Sequence, residues 1–175
     1  IGGLDIGWDH PTAAVKTAWD RDQDCVYICN AYKQREQTPV IHAAALKPWG
    51  NFPWAWPHDA LQHDKSSGIQ ISKQYENNGL NMLPKKITFE DGSNGVEAGL
   101  FQMFERMQTG RFKVFSHLTE WFDEFRLYHR KDGKVVKEFD DLMSASRYSL
   151  MGLRFAKPTI DLMPDSIDFS SLWDN

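Results

Sequence analysis

GGLDIGW, residues 2–8, opens the chain with an apolar run that carries a charge at its centre. The run reads as a β-strand, whose side chains point alternately to two faces. Leu4 and Ile6 share one face, and Asp5 shares the other with Gly3 and Gly7. An ionised carboxylate inside an apolar strand is costly unless something compensates it. The two glycines are expected to leave space above the sheet around Asp5. A metal ion, with a substrate phosphate, would fill that space.

Outward from this strand, HPT turns the chain and AAVKTAWD (13–20) reads as a second strand. RDQD is a polar turn, and CVYICNAYKQ (25–34) is a third strand. Three strands joined by short turns predict an antiparallel meander. Residues 38–50 read as a helix, with Thr38 as N-cap and Pro39 in the first turn. FPWAWPHDA (52–60) is too short for a helix and reads as a fourth strand, with Asp59 at its carboxyl end. A helix over 66–79, a fifth strand over 80–85 and a helix over 93–110 follow. In the last, Val96, Leu100, Met103, Phe104 and Met107 recur at helical spacing. A short strand (112–116) and an amphipathic helix (118–128) come next. Asp132–Gly133 between strand formers predicts a hairpin. The last helix spans 140–156.

This order predicts an α/β fold: a mixed sheet, three antiparallel strands then parallel ones, with helices on both faces and an extra β-hairpin. Residues 1–157 form one domain, which suits a chain of 175 residues. Residues 158–175, PTIDLMPDSIDFSSLWDN, lose periodicity and read as an acidic tail. Its Phe169 and Trp173 are candidates for docking on a partner.

Composition narrows the function classes. Hydrophobic residues make up 41 % and charged residues 25 %, ordinary for a soluble domain. No apolar run approaches the roughly 20 residues of a membrane span. The net charge of −4 argues against a tight autonomous DNA binder. Cys25 and Cys29 on one strand would stand about 13 Å apart, too far for a disulfide. Free thiols fit a reducing cytoplasm. The chain begins with Ile, which reads as a piece of something longer.

Two further acidic positions join Asp5. Asp59 lies at a strand's carboxyl end, where ligands gather in open α/β sheets. His58 and Asp64 are near enough in sequence to assist. The third position is the pair Asp140–Asp141, which opens the last helix. Helix capping is the alternative reading for Asp59 and for the pair. From Asp141 the helix face reads Asp141, Ala145, Ser149, Gly152, a stripe of small residues able to lie close against a sheet. From Asp140 the face runs through Ser144 and Arg147, which is polar. Asp141 is therefore expected to face the sheet and Asp140 to sit more toward solvent. Carboxylates crowded together repel and their pKa values rise. A divalent cation removes that repulsion, and oxygen ligands suit Mg²⁺ or Mn²⁺. Two such ions about 3.5–4 Å apart are the usual clamp for phosphodiester cleavage.

GLDIG on a first strand, two more strands, PHDA after the fourth and DDLMSASRY opening a late helix resemble the RNase H-like nucleases. Within them the chain most resembles the C-terminal nuclease domain of the large terminase subunit of tailed, P22-like bacteriophages. The resemblance runs from Gly2 to about Pro158. It implies an endonuclease that cuts concatemeric double-stranded viral DNA with two Mg²⁺ or Mn²⁺ ions. Asp5, Asp59 and one of Asp140 and Asp141 carry over as metal ligands, Asp141 being favoured by the face argument. It also implies an ATPase motor upstream in the same polypeptide, a portal protein and a small terminase subunit as partners, no membrane, and the host bacterial cytoplasm as location. Many relatives have a further acid where this chain has Ser144, so the second ion is expected to bind weakly until DNA completes its shell. The basic hairpin, with Arg130, Lys131, Lys134 and Lys137, resembles an auxiliary hairpin of these nucleases and is a candidate DNA guide. A solvated surface hairpin is the alternative.

The histidines at 10, 58, 63, 117 and 129 fall into no zinc-ligand spacing. The aromatic cluster Trp49, Phe52, Trp54, Trp56 reads as core rather than as a base-stacking platform. Two other functions compete: a different RNase H-like nuclease, such as a Holliday-junction resolvase or transposase core, and a binding module whose acids are caps and surface charge.

Overall fold

A computed structural model describes residues 1–64, 68–136 and 138–158. Lys137 and the tail beyond Pro158, with Phe169 and Trp173, lie outside the described residues. A five-stranded sheet is built from β1 (Gly2–Asp5), β2 (Thr12–Asp20), β3 (Cys25–Gln34), β4 (Trp54–Ala55) and β5 (Phe112–Val114). Its order is β4-β1-β2-β3-β5. The three long strands form the expected antiparallel meander. Parallel strands flank it on both edges, β4 beside β1 and β5 beside β3. β6 (Arg130–Lys131) and β7 (Lys134–Val135) make the separate hairpin. Asp132 and Gly133 both hold positive φ, 50° and 74°, the conformation of a tight two-residue turn.

The helices are α1 (Pro39–Leu46), α2 (Ile71–Asn77), α3 (Val96–Gln108), α4 (Thr119–Leu127) and α5 (Asp141–Met151). Strand alternation sorts the sheet's side chains into two cores. Leu4 and Ala14 meet Ala43 and Leu46 of α1, Trp54, and Tyr75 of α2. Ala13, Val15, Val26 and Ile28 meet Met103 of α3, Trp121 of α4, and Leu142, Ala145 and Leu150 of α5. Helices thus cover both faces. Trp54 and Trp56 are buried, and Trp49 and Phe52 pack against the Trp54 ring at 5.9 and 5.2 Å. Both cysteines are free thiols.

Two expected strands are shorter than the apolar runs implied. β4 keeps only two residues, because Pro53 and Pro57 bracket it and supply no N–H to a ladder. The fifth strand expected over 80–85 does not form. Met82 makes a single bridge to Trp54, and the Leu83 N–H bonds the Trp54 carbonyl at 3.0 Å before Pro84. Thr38 precedes α1 in extended conformation without a side-chain cap; its carbonyl accepts from Ile41 and His42.

The glycines beside Asp5 do not leave open space. A Cβ on Gly3 would lie 2.0 Å from the Ala145 carbonyl oxygen and 2.8 Å from the Ser149 nitrogen. The backbone of α5 crosses directly over it. A Cβ on Gly7 would meet the His10 carbonyl at 2.3 Å. Missing side chains are used for close backbone approach, and the opening lies beside Asp5. The stripe Ala145, Ser149, Gly152 does face the sheet, and Thr17 Oγ1 donates to Ser149 Oγ at 2.7 Å. Gly3→Ala is expected to cost about 3 kcal/mol, at the upper end of ordinary overpacking. Gly110→Ala, in open space at φ 70°, is expected to cost only about 1–2 kcal/mol of backbone strain. Thermal unfolding of both variants checks this; equal losses would contradict the close crossing.

Candidate active site

Asp5 ends β1, and β4 runs parallel to β1. Asp59 follows β4 in a single 3₁₀ turn, His58–Leu61. The carboxyl ends of two adjacent parallel strands therefore deliver both acids to one edge of the sheet. The crossing of α5 over Gly3 brings the helix start, Asp140 and Asp141, to the same place. Asp5, Asp59, Asp140, Asp141, Ser144 and Arg147 all line one cavity of about 290 Å³, with Ile6, His10, Val96, Val135 and Tyr148 completing its wall.

Neither Asp59 nor Asp140 caps a helix with its side chain. Their carboxylates instead border the cavity. Burial pushes the Asp5 carboxyl up to about 8, Asp141 and Asp140 add to the shift, Arg147 opposes it, and Asp59 adds a smaller contribution. Burial also raises the neighbouring Tyr148 hydroxyl, with the Asp5 charge in support.

Asp140 is less buried than Asp141, as the sequence predicts, and the polar face it shares with Ser144 and Arg147 borders the cavity. Arg147 is only 4 % exposed, with its guanidinium 4.4 Å from the Tyr148 ring centre. Asp141 is also buried and faces the sheet. Its Oδ2 lies 3.2 Å from Lys33 Nζ, and Lys33 also pairs with Glu124 Oε1. Burial by itself would lower the Lys33 ammonium, but the two carboxylates outweigh burial and raise it. Lys33, Glu124 and Arg147 were all missed as site residues. A lysine in a strand and a glutamate in an amphipathic helix carry no local pattern that marks them.

Other candidates lie elsewhere. His58 is exposed with Nδ1 3.0 Å from Lys86 Nζ, outside the cavity wall. Asp64 belongs to the following turn, where its carbonyl accepts from Gly68, and it is likewise not part of the wall. In the hairpin, Arg130 pairs with Glu97 of α3 through both guanidinium arms. Lys131 and Lys134 are exposed, and Val135 reaches the cavity.

Among the described residues, no three His, Cys, Asp or Glu side chains are arranged as a ready metal cage. The acids border one cavity without closing on a point. The donor set nonetheless suits a hard divalent ion, being oxygen-only and strained by its own repulsion.

Residues 2–153 match the terminase RNaseH-like domain. The chain belongs to this family. Terminase membership separates it from the resolvase and transposase alternatives. The chain is 45 % identical, over 164 residues, to the large terminase subunit of Salmonella phage P22, covering 93 % of this chain and 33 % of that protein. The solved nuclease domain of the P22 large terminase superposes with a TM-score of 0.83 at 46 % identity, over 90 % of this chain and 82 % of that one. The nuclease domain of the g2p large terminase of bacteriophage SPP1, solved with bound Mn, shares the fold: TM-score 0.60, 16 % identity, 87 % of this chain and 84 % of that one. This terminase domain spans about a third of the length of the curated relatives it matches.

The charge crowding has a measurable sign in this terminase domain. Desolvation and the neighbouring carboxylates push folded Asp5 up to about 8, whereas an unfolded aspartate titrates in the ordinary range, near 3.8. Between those limits the folded state binds more protons, so stability without metal falls as pH rises through the window. In chelator, Asp5→Asn is expected to raise the melting temperature by several degrees at about pH 8.5 and to have no effect near pH 4. Each kcal/mol relieved moves the midpoint of a chain this size by about 2–4 °C. A variant no more stable than the parent at the higher pH would contradict the repulsion.

Proposed function

We propose that this terminase domain is a metal-dependent endonuclease that cleaves concatemeric double-stranded viral DNA. The observation that carries the reading is the convergence of Asp5, Asp59, Asp140 and Asp141 on one cavity. Asp5, Asp59 and Asp141 are the residues that would hold two Mg²⁺ or Mn²⁺ ions, with Asp140 beside them. Such ions would supply a water of lowered pKa and positive charge against the phosphate oxygens. The bound Mn of the SPP1 domain supports a divalent ion here.

The chain's own groups orient the phosphate. Arg147 presents a fixed cation inside the cavity, held over the Tyr148 ring, close enough to offset part of the Asp5 charge. That position suits a scissile phosphate entering beside Asp5. Ser144, on the cavity wall, offers a hydroxyl in place of a further carboxylate, so the second ion depends more on phosphate oxygens for its shell. Lys131 and Lys134 are exposed and available to DNA, whereas Arg130 must first leave Glu97.

A net charge of −4 gives few cationic groups to displace counterions, so DNA affinity is weak and non-specific. That suits a domain whose DNA is held by another machine. The reading includes an ATPase motor in the same polypeptide, a portal protein and a small terminase subunit as partners, and action in the host bacterial cytoplasm. Residues 1–157 are the nuclease unit and 158–175 an acidic tail.

Supercoiled plasmid incubated with the domain tests the reading. Nicking is expected with Mn²⁺ or Mg²⁺ and none with chelator. Asp5→Asn should lower the rate by at least about a hundredfold. Asp141→Asn should lower it more than Asp140→Asn. Metal-independent nicking would overturn the mechanism, and equal losses would overturn the assignment of Asp141.

A further inference from the structure

Asp5 pairs in register with Ala13 of β2, and Ala13 with Lys33 of β3. The three residues form one row across the sheet, on the face that α5 covers. Ala13 is short and fully buried, so the first turn of α5 settles between an acid and a cation. Asp141 occupies that place. It adds to the charge crowding at Asp5 on one side and meets Lys33 at 3.2 Å on the other.

Lys33 has a second partner. Glu124 of α4 pairs with it through Oε1, and Glu124 Oε2 accepts the Leu142 N–H at 2.7 Å. The side chains of Lys33, Glu124 and Asp141 are 19 %, 5 % and 9 % exposed. An ion pair this sheltered cannot simply be broken, because a buried charge left alone is strongly unfavourable. Glu124 is placed so that Lys33 is never alone. When Asp141 turns toward a metal ion, Lys33 keeps Glu124, and Glu124 keeps the start of α5.

We propose that Lys33 and Glu124 are positioning residues that set the divalent-ion affinity of the site: Lys33 competes with the metal for Asp141, and Glu124 lets Lys33 release it. The inference rests on the reading of Asp141 as a metal ligand. In the metal-free protein Lys33 restrains Asp141 and lessens the repulsion at Asp5. On metal entry the pair Lys33–Glu124 remains as a neutral unit at the edge of the cavity.

The two residues therefore act in opposite directions on affinity. Glu124→Gln keeps an oxygen for the Leu142 N–H but removes the charge that shares Lys33. Lys33 then holds Asp141 more tightly. The double variant Lys33→Met/Glu124→Gln removes the competing cation and its counter-charge together, leaving the buried Asp141 carboxylate for a metal ion to neutralise.

Calorimetric titration of Mn²⁺ into the full 175-residue chain, stripped of metal, tests this. Glu124→Gln is expected to weaken binding by about tenfold, and Lys33→Met/Glu124→Gln to tighten it by about tenfold relative to the parent. A merely structural pair would weaken binding in both variants or change neither, and either result overturns the proposal. Should the double variant fail to fold, Glu124→Gln still decides: unchanged or tighter binding overturns it. No Mn²⁺ binding by the parent chain would instead overturn the metal site on which the inference rests.

Discussion

The backbone of α5 lies so close over β1 that a methyl group on Gly3 would touch the Ala145 carbonyl oxygen at 2.0 Å. That crossing decides where Asp140 and Asp141 stand. Chain positions 5 and 141 are remote in sequence, and only the contact of a helix with a glycine in a strand brings them to one cavity. Small residues on the helix allow it: Ala145 and Ser149 over Gly3, and Gly152 over Ala55. Asp59 arrives by a different route, carried by a short parallel strand that two prolines limit to two residues.

The site so assembled is electrostatically unfavourable without a ligand. Asp5 stands half-buried, and desolvation with the like charges around it pushes its carboxyl up to about 8. Arg147, buried on the cavity wall, moderates this directly, while the half-buried Lys33 pairs with Asp141. Repulsion of this kind is relieved by small, highly charged, oxygen-seeking cations. The net negative charge of the whole chain adds to that preference.

Much of this was legible in sequence because the signals were periodic. Three apolar runs joined by short turns marked the meander, and the small stripe behind Asp141 marked which face of α5 meets the sheet. Asp132–Gly133 marked the hairpin turn. What failed had no local signature. The glycines at 3 and 7 looked like space for a ligand, yet the space is taken by backbone that arrives from residues 145 and 10. The face through Ser144 and Arg147 reads only as polar in sequence, and nothing local tells that it borders a cavity with Arg147 buried on its wall. Lys33 and Glu124 meet only because β3 and α4 converge on the start of α5. The apolar run 80–85 promised a strand, but it follows a two-residue neighbour, too short to support a ladder.

The most direct measurement is anomalous diffraction at the manganese edge from crystals of the domain grown with Mn²⁺. The account predicts manganese between the Asp5 and Asp141 carboxylates, with Asp59 as a further ligand and oxygen distances of about 2.0–2.2 Å, typical of hard divalent ions. Manganese absent from this cavity at saturating concentration, or bound only elsewhere, would contradict it.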